Sequence, residues 1–421
     1  MKTSSEVFDL IVVGGGAAGF FCAVNAGKMN PQLRIAIVEK SSKLLSKVAV
    51  SGGGRCNVMH DEMDIAELAK CYPRGQHFLK KALHHFSPKD TIDWFAQKGV
   101  PLKVEKDGRM FPVSNTSQTI IDCFIKEANS CKVSIFMNAA IERLENREGT
   151  WILEEKAGRT WSAKNVCVTS GGFNKLEQYN WLARLGLKVE LPVPSLFTFN
   201  IPDNEISSLM GLSVPNATIK IVGTKMVSSG PLLITHWGLS GPAVLKLSAF
   251  AARLLSEKNY QFSILVNWLS DYTEESLRAG WSDIRNQAGH TLIATKNPFG
   301  LPSRLWHYFL KNSDIEEDTY WSELKSSCQN KLIQLLTANI FIVAGKTTFK
   351  DEFVVCGGIS LAEIDVNTMQ AKRFDGLYFA GEVLDVDGVT GGFNFQNAWT
   401  TGWIASKSIA SKQGGYFGRY V

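Results

Sequence analysis

No two of the eight cysteines form a C-x-x-C pair; they are scattered along the chain from Cys22 to Cys356. That spacing excludes a secreted disulfide framework, a zinc ribbon and a thioredoxin-like active disulfide. Several cysteines sit in apolar runs such as Val166-Cys167-Val168, where a reduced thiol packs as a small hydrophobe, so a cytoplasmic, reducing compartment is expected. A block of Lys and Arg is also missing. The formal charge is +5 over 421 residues, too little to imply a nucleic-acid partner. Low-complexity tracts and internal repeats are absent. The mostly apolar stretch from Leu10 to Gly27 is broken by Gly14, Gly15, Gly16 and Gly19, and Glu6 and Asp9 stand where a signal peptide needs positive charge. No other segment is long and apolar enough to span a bilayer, so no membrane association is expected.

What is present is the composition of a soluble globular protein, 45% hydrophobic and 20% charged. The length exceeds what one core sustains, so two or three domains are expected. Phe8–Val13 reads as a buried strand, Ala17–Met29 as a helix with small residues on its packing face, and Arg34–Val38 as a second strand. This βαβ unit predicts an α/β fold with a Rossmann-like parallel sheet. A helical stretch follows from about Asp64 to Gly99, then strand candidates at Val133–Met137, Trp151–Glu155 and Asn165–Thr169. Near Leu191-Pro192-Val193-Pro194 the composition shifts to short β-like runs, Leu196–Ile201, Ala217–Val222 and Phe262–Val266. Helical patterns at Glu274–Gln287, Ser303–Leu310 and Trp321–Thr337 precede returning strands at Phe353–Val355 and Gly376–Ala380, and a last helix from about Gln396 to Ser411. The organisation expected is a nucleotide-binding domain split between 1–191 and 357–421. Inserted in it are a β-barrel, 192–270 with 340–356, and a small helical bundle, 271–339.

Gly14, Gly16 and Gly19 spell G-x-G-x-x-G directly after the first strand and at the start of the first helix. In that context Gly14 makes the tight turn, Gly16 lets backbone approach a pyrophosphate, and Gly19 allows close helix–strand packing. The helix N-terminus at Ala17 and Ala18 offers N–H groups to phosphate. Glu39 ends the second strand 20 residues past Gly19, placed to accept hydrogen bonds from ribose hydroxyls, with Lys40 beside it. An acid there favours an unphosphorylated ribose, hence FAD or NAD over NADP. At the other end, the strand closing in Gly381-Glu382 resembles the second FAD fingerprint of two-dinucleotide-fold flavoproteins. The loop Gly391-Gly392-Phe393-Asn394 after it runs into the last helix, whose N-terminus suits the anionic edge of a reduced flavin. Ser51-Gly52-Gly53-Gly54-Arg55-Cys56-Asn57 is too glycine-rich for a helix and reads as a loop that approaches the cofactor, and Ser170-Gly171 ends a further strand at the same sheet edge.

With these motifs the sequence resembles a bacterial flavoprotein family, of the glutathione-reductase-like class, that includes aminoacetone oxidases and a bile-acid 3-dehydro-Δ-reductase. The matches are Gly14–Gly19, Ser51–Asn57, Gly108-Arg109-Met110-Phe111-Pro112, Thr235-His236-Trp237-Gly238-Leu239-Ser240-Gly241-Pro242 and Gly376–Gln396. The resemblance implies an FAD domain with an inserted β-barrel and helical bundle. It also implies FAD contacts from Glu39, Lys47, Arg55, Asn57, Gly381, Glu382, Asp387, Gly392 and Asn394. One segment departs from the pattern. Where the family carries Pro-x-x-Gly-Ser-Thr-Gly after a Thr-Gly-Gly-like strand end, this chain has Phe173-Asn174-Lys175-Leu176-Glu177-Gln178-Tyr179.

Exchange of electrons at a flavin needs little from the protein beyond positioning and one acid or base. His236, in a Gly/Pro-rich loop, is the candidate, and a structural histidine bonded to backbone stays open as the other reading. Cys56 has two readings, a thiol that faces the flavin and, the favoured one, a packed, inert thiol; His84-His85 reads as helix surface, and Trp281, Trp306 and Trp321 as core. The function expected is an FAD-dependent oxidoreductase acting on a small organic substrate, an amine, carbonyl or unsaturated ketone. The alternatives are a flavin-dependent tRNA-modifying enzyme and a non-catalytic flavin-binding protein. No second glycine fingerprint is present, so NADH or NADPH is expected to visit only transiently.

Overall fold

The structure, a computed structural model, describes residues 7–348 and 354–412. Its described residues fall into two compact units, 7–194 with 354–412, and 195–348.

The first unit is built on a parallel sheet. The first strand, Val7–Val13, is apolar and buried from Leu10 onward, as a strand covered on both faces must be. It pairs in parallel with Ile35–Val38 on one side and Thr160–Val168 on the other. Ser134–Phe136 extends the sheet beyond the second strand, and Leu377–Phe379 adds in parallel to the end of Thr160–Val168. Ile141–Arg147 and Thr150–Glu155 complete it as an antiparallel extension. The register decides where function can sit. Val13 is level with Val38 and with Val168, and Val168 with Phe379, so four loops leave the sheet side by side at its carboxyl edge. In open α/β sheets that edge is the ligand crevice.

The first helix, Ala17–Met29, packs along the last, Phe393–Lys412, with small residues at the contact; a Cβ on Gly402 would lie 3.0 Å from the Ala18 carbonyl oxygen. The stretch expected to be helical after Asp64 is three helices, Ile65–Lys70, Gln76–Ala82 and Pro88–Gln97. Helical backbone starting at Ser46 breaks at Ser51, Gly52 and Gly53, so the glycine-rich segment is the loop that its composition implies. The boundary expected near Leu191–Pro194 agrees with the division after Pro194, and the strand Val189–Ser195, which pairs with Val354–Ile359, ends at it. Phe353, expected in that second strand, lies outside the described residues.

The second unit is a seven-stranded antiparallel sheet with helices. In order across the sheet its strands are Asn339–Ala344, Gln261–Asn267, Ser213–Ile221, Val227–Thr235, Gly238–Ser240, Thr198–Asn200 and Lys346–Thr347. The first and last of these are consecutive in the chain, joined through Gly345 alone. Gln261–Asn267 shows the period-two burial of a sheet with one wet face. The helices Glu274–Ala288, Ser303–Asn312 and Ser326–Thr337 share one apolar core with the sheet, running from Phe199 and Ile219 to the buried Trp281, Trp306 and Trp321. No helix among the described residues is long and apolar enough to cross a membrane.

Candidate functional site

Two glycines of the first turn, Gly14 and Gly19, are required by the packing of the protein itself, while the third, Gly16, leaves space open. Gly14 has φ +117°, and a Cβ there would lie 2.5 Å from the Thr169 carbonyl oxygen. A Cβ on Gly19 would collide with the Gly14 carbonyl, so this glycine seats the helix on the strand. At Gly16 nothing stands within 4 Å of the Cβ position. That space is kept open above the N-terminus of a helix that has no side-chain cap, as an approaching phosphate requires. Thr169 locks the turn from the neighbouring strand, its hydroxyl donating to the Gly14 carbonyl oxygen at 2.9 Å.

Glu39 is half-buried beside this turn. One carboxylate oxygen accepts from the Gly15 N–H at 2.7 Å and the other from the Ser41 N–H at 2.9 Å. A carboxylate has about four lone-pair positions, so two backbone bonds fix Glu39 and leave capacity for ribose hydroxyls. Next to it opens a cavity of about 440 Å³. Gly14, Glu39, Lys40, Ala140, Ser170 and Phe173 are among the residues that line it. Lys40 is exposed, its ammonium 4.9 Å from the centre of the Phe173 ring.

The second fingerprint meets the first. A Cβ on Gly381, φ +77°, would come within 2.8 Å of the Ala18 methyl, and the Gly381 N–H donates to Thr401 of the last helix at 2.9 Å. Glu382 forms an ion pair with Lys47 at 2.5 Å and accepts from the Val355 N–H at 3.3 Å. Gly171, φ +72°, places its Cβ position 4.0 Å from Glu382, so the two strand ends adjoin. Asp387 is wholly buried and forms a two-point ion pair with Arg74, whose Nε lies 2.5 Å from one carboxylate oxygen. The Asp387 side chain, expected at the cofactor, therefore acts inside the protein, holding the loop that leads to the last helix.

That loop is stapled at both ends. The Asn394 side chain accepts from the Gly388 N–H at 2.8 Å and donates to the Gly388 carbonyl at 3.0 Å. In the amide orientation that suits its neighbours, Asn57 accepts from the Gly392 N–H at 3.0 Å and donates to the Met59 carbonyl at 3.0 Å. Gly392, φ +95°, abuts the Met59 backbone, and Gly391, φ +133°, precedes it. Phe393 stacks on His60, ring centres 4.9 Å apart and 18° from parallel, while its carbonyl accepts from the Tyr72 hydroxyl at 2.7 Å.

In the 51–57 segment the Ser51 hydroxyl closes the helical turn onto the Val48 carbonyl at 3.1 Å, and Gly52 and Gly53 follow at φ +59° and +68°. Arg55 pairs with Glu105 at 2.5 Å, its guanidinium 4.0 Å from the centre of the Phe111 ring. Cys56 is fully buried, and burial pushes its thiol up to about 12, against a bond with Ser51 that lowers it. It is an inert thiol. His84 and His85 are exposed just past a helix, as expected.

Motif reading named the first turn, Glu39, the 51–57 loop and both glycines at 391–392, which the structure brings together in two groups, through Glu39 and through Asn57. It missed Arg74, Glu105 and Thr401, which act through partners distant in sequence and carry no local pattern. His236 belongs to the second unit, in the turn between Val227–Thr235 and Gly238–Ser240. It is exposed, its ring 4.4 Å from that of Trp237.

The uncapped helix end, the open Cβ position at Gly16, the pinned Glu39 and the adjoining cavity together fit FAD. The model of the HI0933-like protein Rossmann domain matches residues 8–408. A ribosomal RNA dihydrouridine synthase of Haemophilus influenzae is 27% identical over 96% of this chain and 99% of that protein. The protein of the same name from Escherichia coli is 29% identical over 96% of this chain and 98% of its own. A 3-dehydro-bile acid delta(4,6)-reductase of Clostridium scindens is 24% identical, over 95% and 98% respectively.

Proposed function

The chain belongs to the HI0933-like family, whose members are FAD-dependent oxidoreductases, and from that premise we propose that it reduces a carbon–carbon double bond conjugated to a carbonyl, with uracil in RNA as the leading substrate. The observation that carries this reading is the pair of end-to-end relatives named ribosomal RNA dihydrouridine synthase. Their product name and that of the bile-acid relative describe one bond type. Uridine C5=C6 is conjugated to the C4 carbonyl, and a delta(4,6) 3-ketone is a dienone. In either case the double bond takes up two electrons and two protons, a hydride on the carbon β to the carbonyl and a proton on the α carbon.

Bound FAD supplies the hydride from N5, with a reduced nicotinamide, NADH or NADPH, as the source of electrons. The chain's own contribution is to hold and to polarise. Gly16 and the first helix N-terminus take the pyrophosphate, Glu39 the adenosine ribose, and Glu382, steadied by Lys47, the ribityl hydroxyls. The N–H groups at the start of the last helix favour negative charge nearby by about 0.3–2 kcal/mol. Asn57 and Asn394 fix the loop that presents them. His236 is the proposed proton donor.

A small unsaturated ketone is the second reading, favoured by the bile-acid relative and by the weak net charge. The test is anaerobic reduction of the flavin by NADPH or NADH, followed by unmodified ribosomal RNA or a steroid dienone. Flavin reoxidation with dihydrouridine in the digested RNA supports the first reading, and reoxidation by the dienone alone supports the second. Reoxidation by neither defeats the proposal.

A further inference from the structure

Past Gly172 the chain turns back over the carboxyl edge of the parallel sheet. Leu176–Tyr179 forms a 3-10 turn and Asn180–Ala183 a short helix. This is the stretch in which the sequence departs from the motif pattern it otherwise follows. It is not a loose connection, because Phe173, Gln178 and Arg184 line the 440 Å³ cavity together with Glu39, Lys40 and Ala140.

Phe173 is held from three directions. Its N–H donates to the Tyr179 hydroxyl at 3.1 Å, its ring meets that of Tyr179 edge-on at 4.9 Å and 85°, and the Lys40 ammonium approaches it to 4.9 Å. Tyr179 is itself fully buried, so the aromatic support is anchored in the core. The result is a partly exposed aromatic ring fixed at the rim of a cavity that begins at Glu39. With the ribose of a dinucleotide on Glu39, the group that remains to be housed is a flat heteroaromatic base. An ordered aromatic ring recognises such a base with little loss of side-chain freedom.

We propose that Phe173 contacts the adenine of FAD, so that the segment from Phe173 to Arg184 retains the adenosine half of the cofactor in this chain. The proposal rests on the FAD reading of the site and adds to it a residue outside every glycine motif.

The test uses full-length protein stripped of flavin and titrated calorimetrically with FAD, ADP and FMN. Phe173→Ala is expected to weaken FAD and ADP by the same factor, roughly tenfold to a hundredfold, the range for loss of one base–aromatic stack. FMN, which has no adenosine, is expected to bind the variant as it binds the wild type. Phe173→Tyr is expected to restore ADP binding. Phe173→Leu keeps apolar bulk without a ring; it is expected to lose ADP affinity while unfolding at the wild-type temperature without flavin. Unchanged ADP affinity in both ring-less variants overturns the proposal, and so does an equal fall in FMN affinity. Wild-type protein that takes up no FAD at all defeats the reading of the site together with the proposal, whereas normal FAD uptake with indifferent variants defeats the proposal alone.

Discussion

Lys47 and Glu382 stand 335 residues apart in the chain and 2.5 Å apart in space. The pair joins the helix after the second strand to the loop of the second fingerprint, so the two ends of the sequence meet in one site. Lys47 is half exposed, with 50% of its side-chain surface open. Ion pairs of that kind contribute about 0–1 kcal/mol to stability. Lys47→Met should therefore lower the unfolding free energy of the flavin-free protein by no more than about 1 kcal/mol. Glu382→Gln should cost more in binding, because a hydrogen bond to a charged group contributes about 1.5–3 kcal/mol. Urea unfolding of flavin-free Lys47→Met checks the first and FAD titration of Glu382→Gln the second, and wild-type affinity in Glu382→Gln would remove Glu382 from the site.

The Arg74–Asp387 pair should behave in the opposite way. Asp387 is wholly buried and Arg74 retains 12% of its side-chain surface exposed, so Asp387→Ala strands a charge. Breaking one side of a buried pair costs about 3–5 kcal/mol. Urea unfolding of the flavin-free variant measures this loss; a change under 1 kcal/mol would contradict the positioning role given to Asp387.

Gly16 and Gly19 separate binding from folding. Gly19→Ala drives a methyl into the Gly14 carbonyl and should destabilise the flavin-free protein by about 1–3 kcal/mol. Gly16→Ala fills open space and should unfold like the wild type while binding FAD at least tenfold more weakly. Thermal unfolding without flavin and titration with it distinguish the two, and a Gly16→Ala protein of unaltered affinity would contradict the phosphate assignment.

Cys56 makes stability fall in alkali. Its thiol is raised from 9.0 to about 12 by burial, so above pH 9 the unfolded chain releases this proton while the folded chain keeps it. The contribution is fully present below pH 9 and is lost as pH rises toward 12. Cys56→Ser should show a shallower decline of unfolding free energy over that window. Wild-type Cys56 should also resist iodoacetamide at pH 8 until the protein is unfolded, with peptide mapping as the readout.

What the sequence revealed of this architecture was its local part. The first strand, turn and helix are contiguous, and the steric demands on Gly14 and Gly19 are written in residue types. The helix Ala17–Met29 and the strand ends at Val38 and Val168 follow from the same short-range patterns. Arg74 could not be read this way, since its importance comes from Asp387, 313 residues away. Nor could Phe173, whose place beside Lys40 depends on two chain segments reaching the same sheet edge. The prolines of Leu191–Pro194 did mark the division after Pro194, and the strand Val189–Ser195 accommodates them because a two-stranded sheet tolerates proline wherever the missing N–H faces away from its partner.

The most direct measurement of the central claim is the visible absorption spectrum of the purified protein after incubation with FAD and removal of unbound flavin. Retained flavin bands in the wild type, and their loss from Gly16→Ala handled identically, are the predicted result. A colourless wild-type protein would contradict the account at its root.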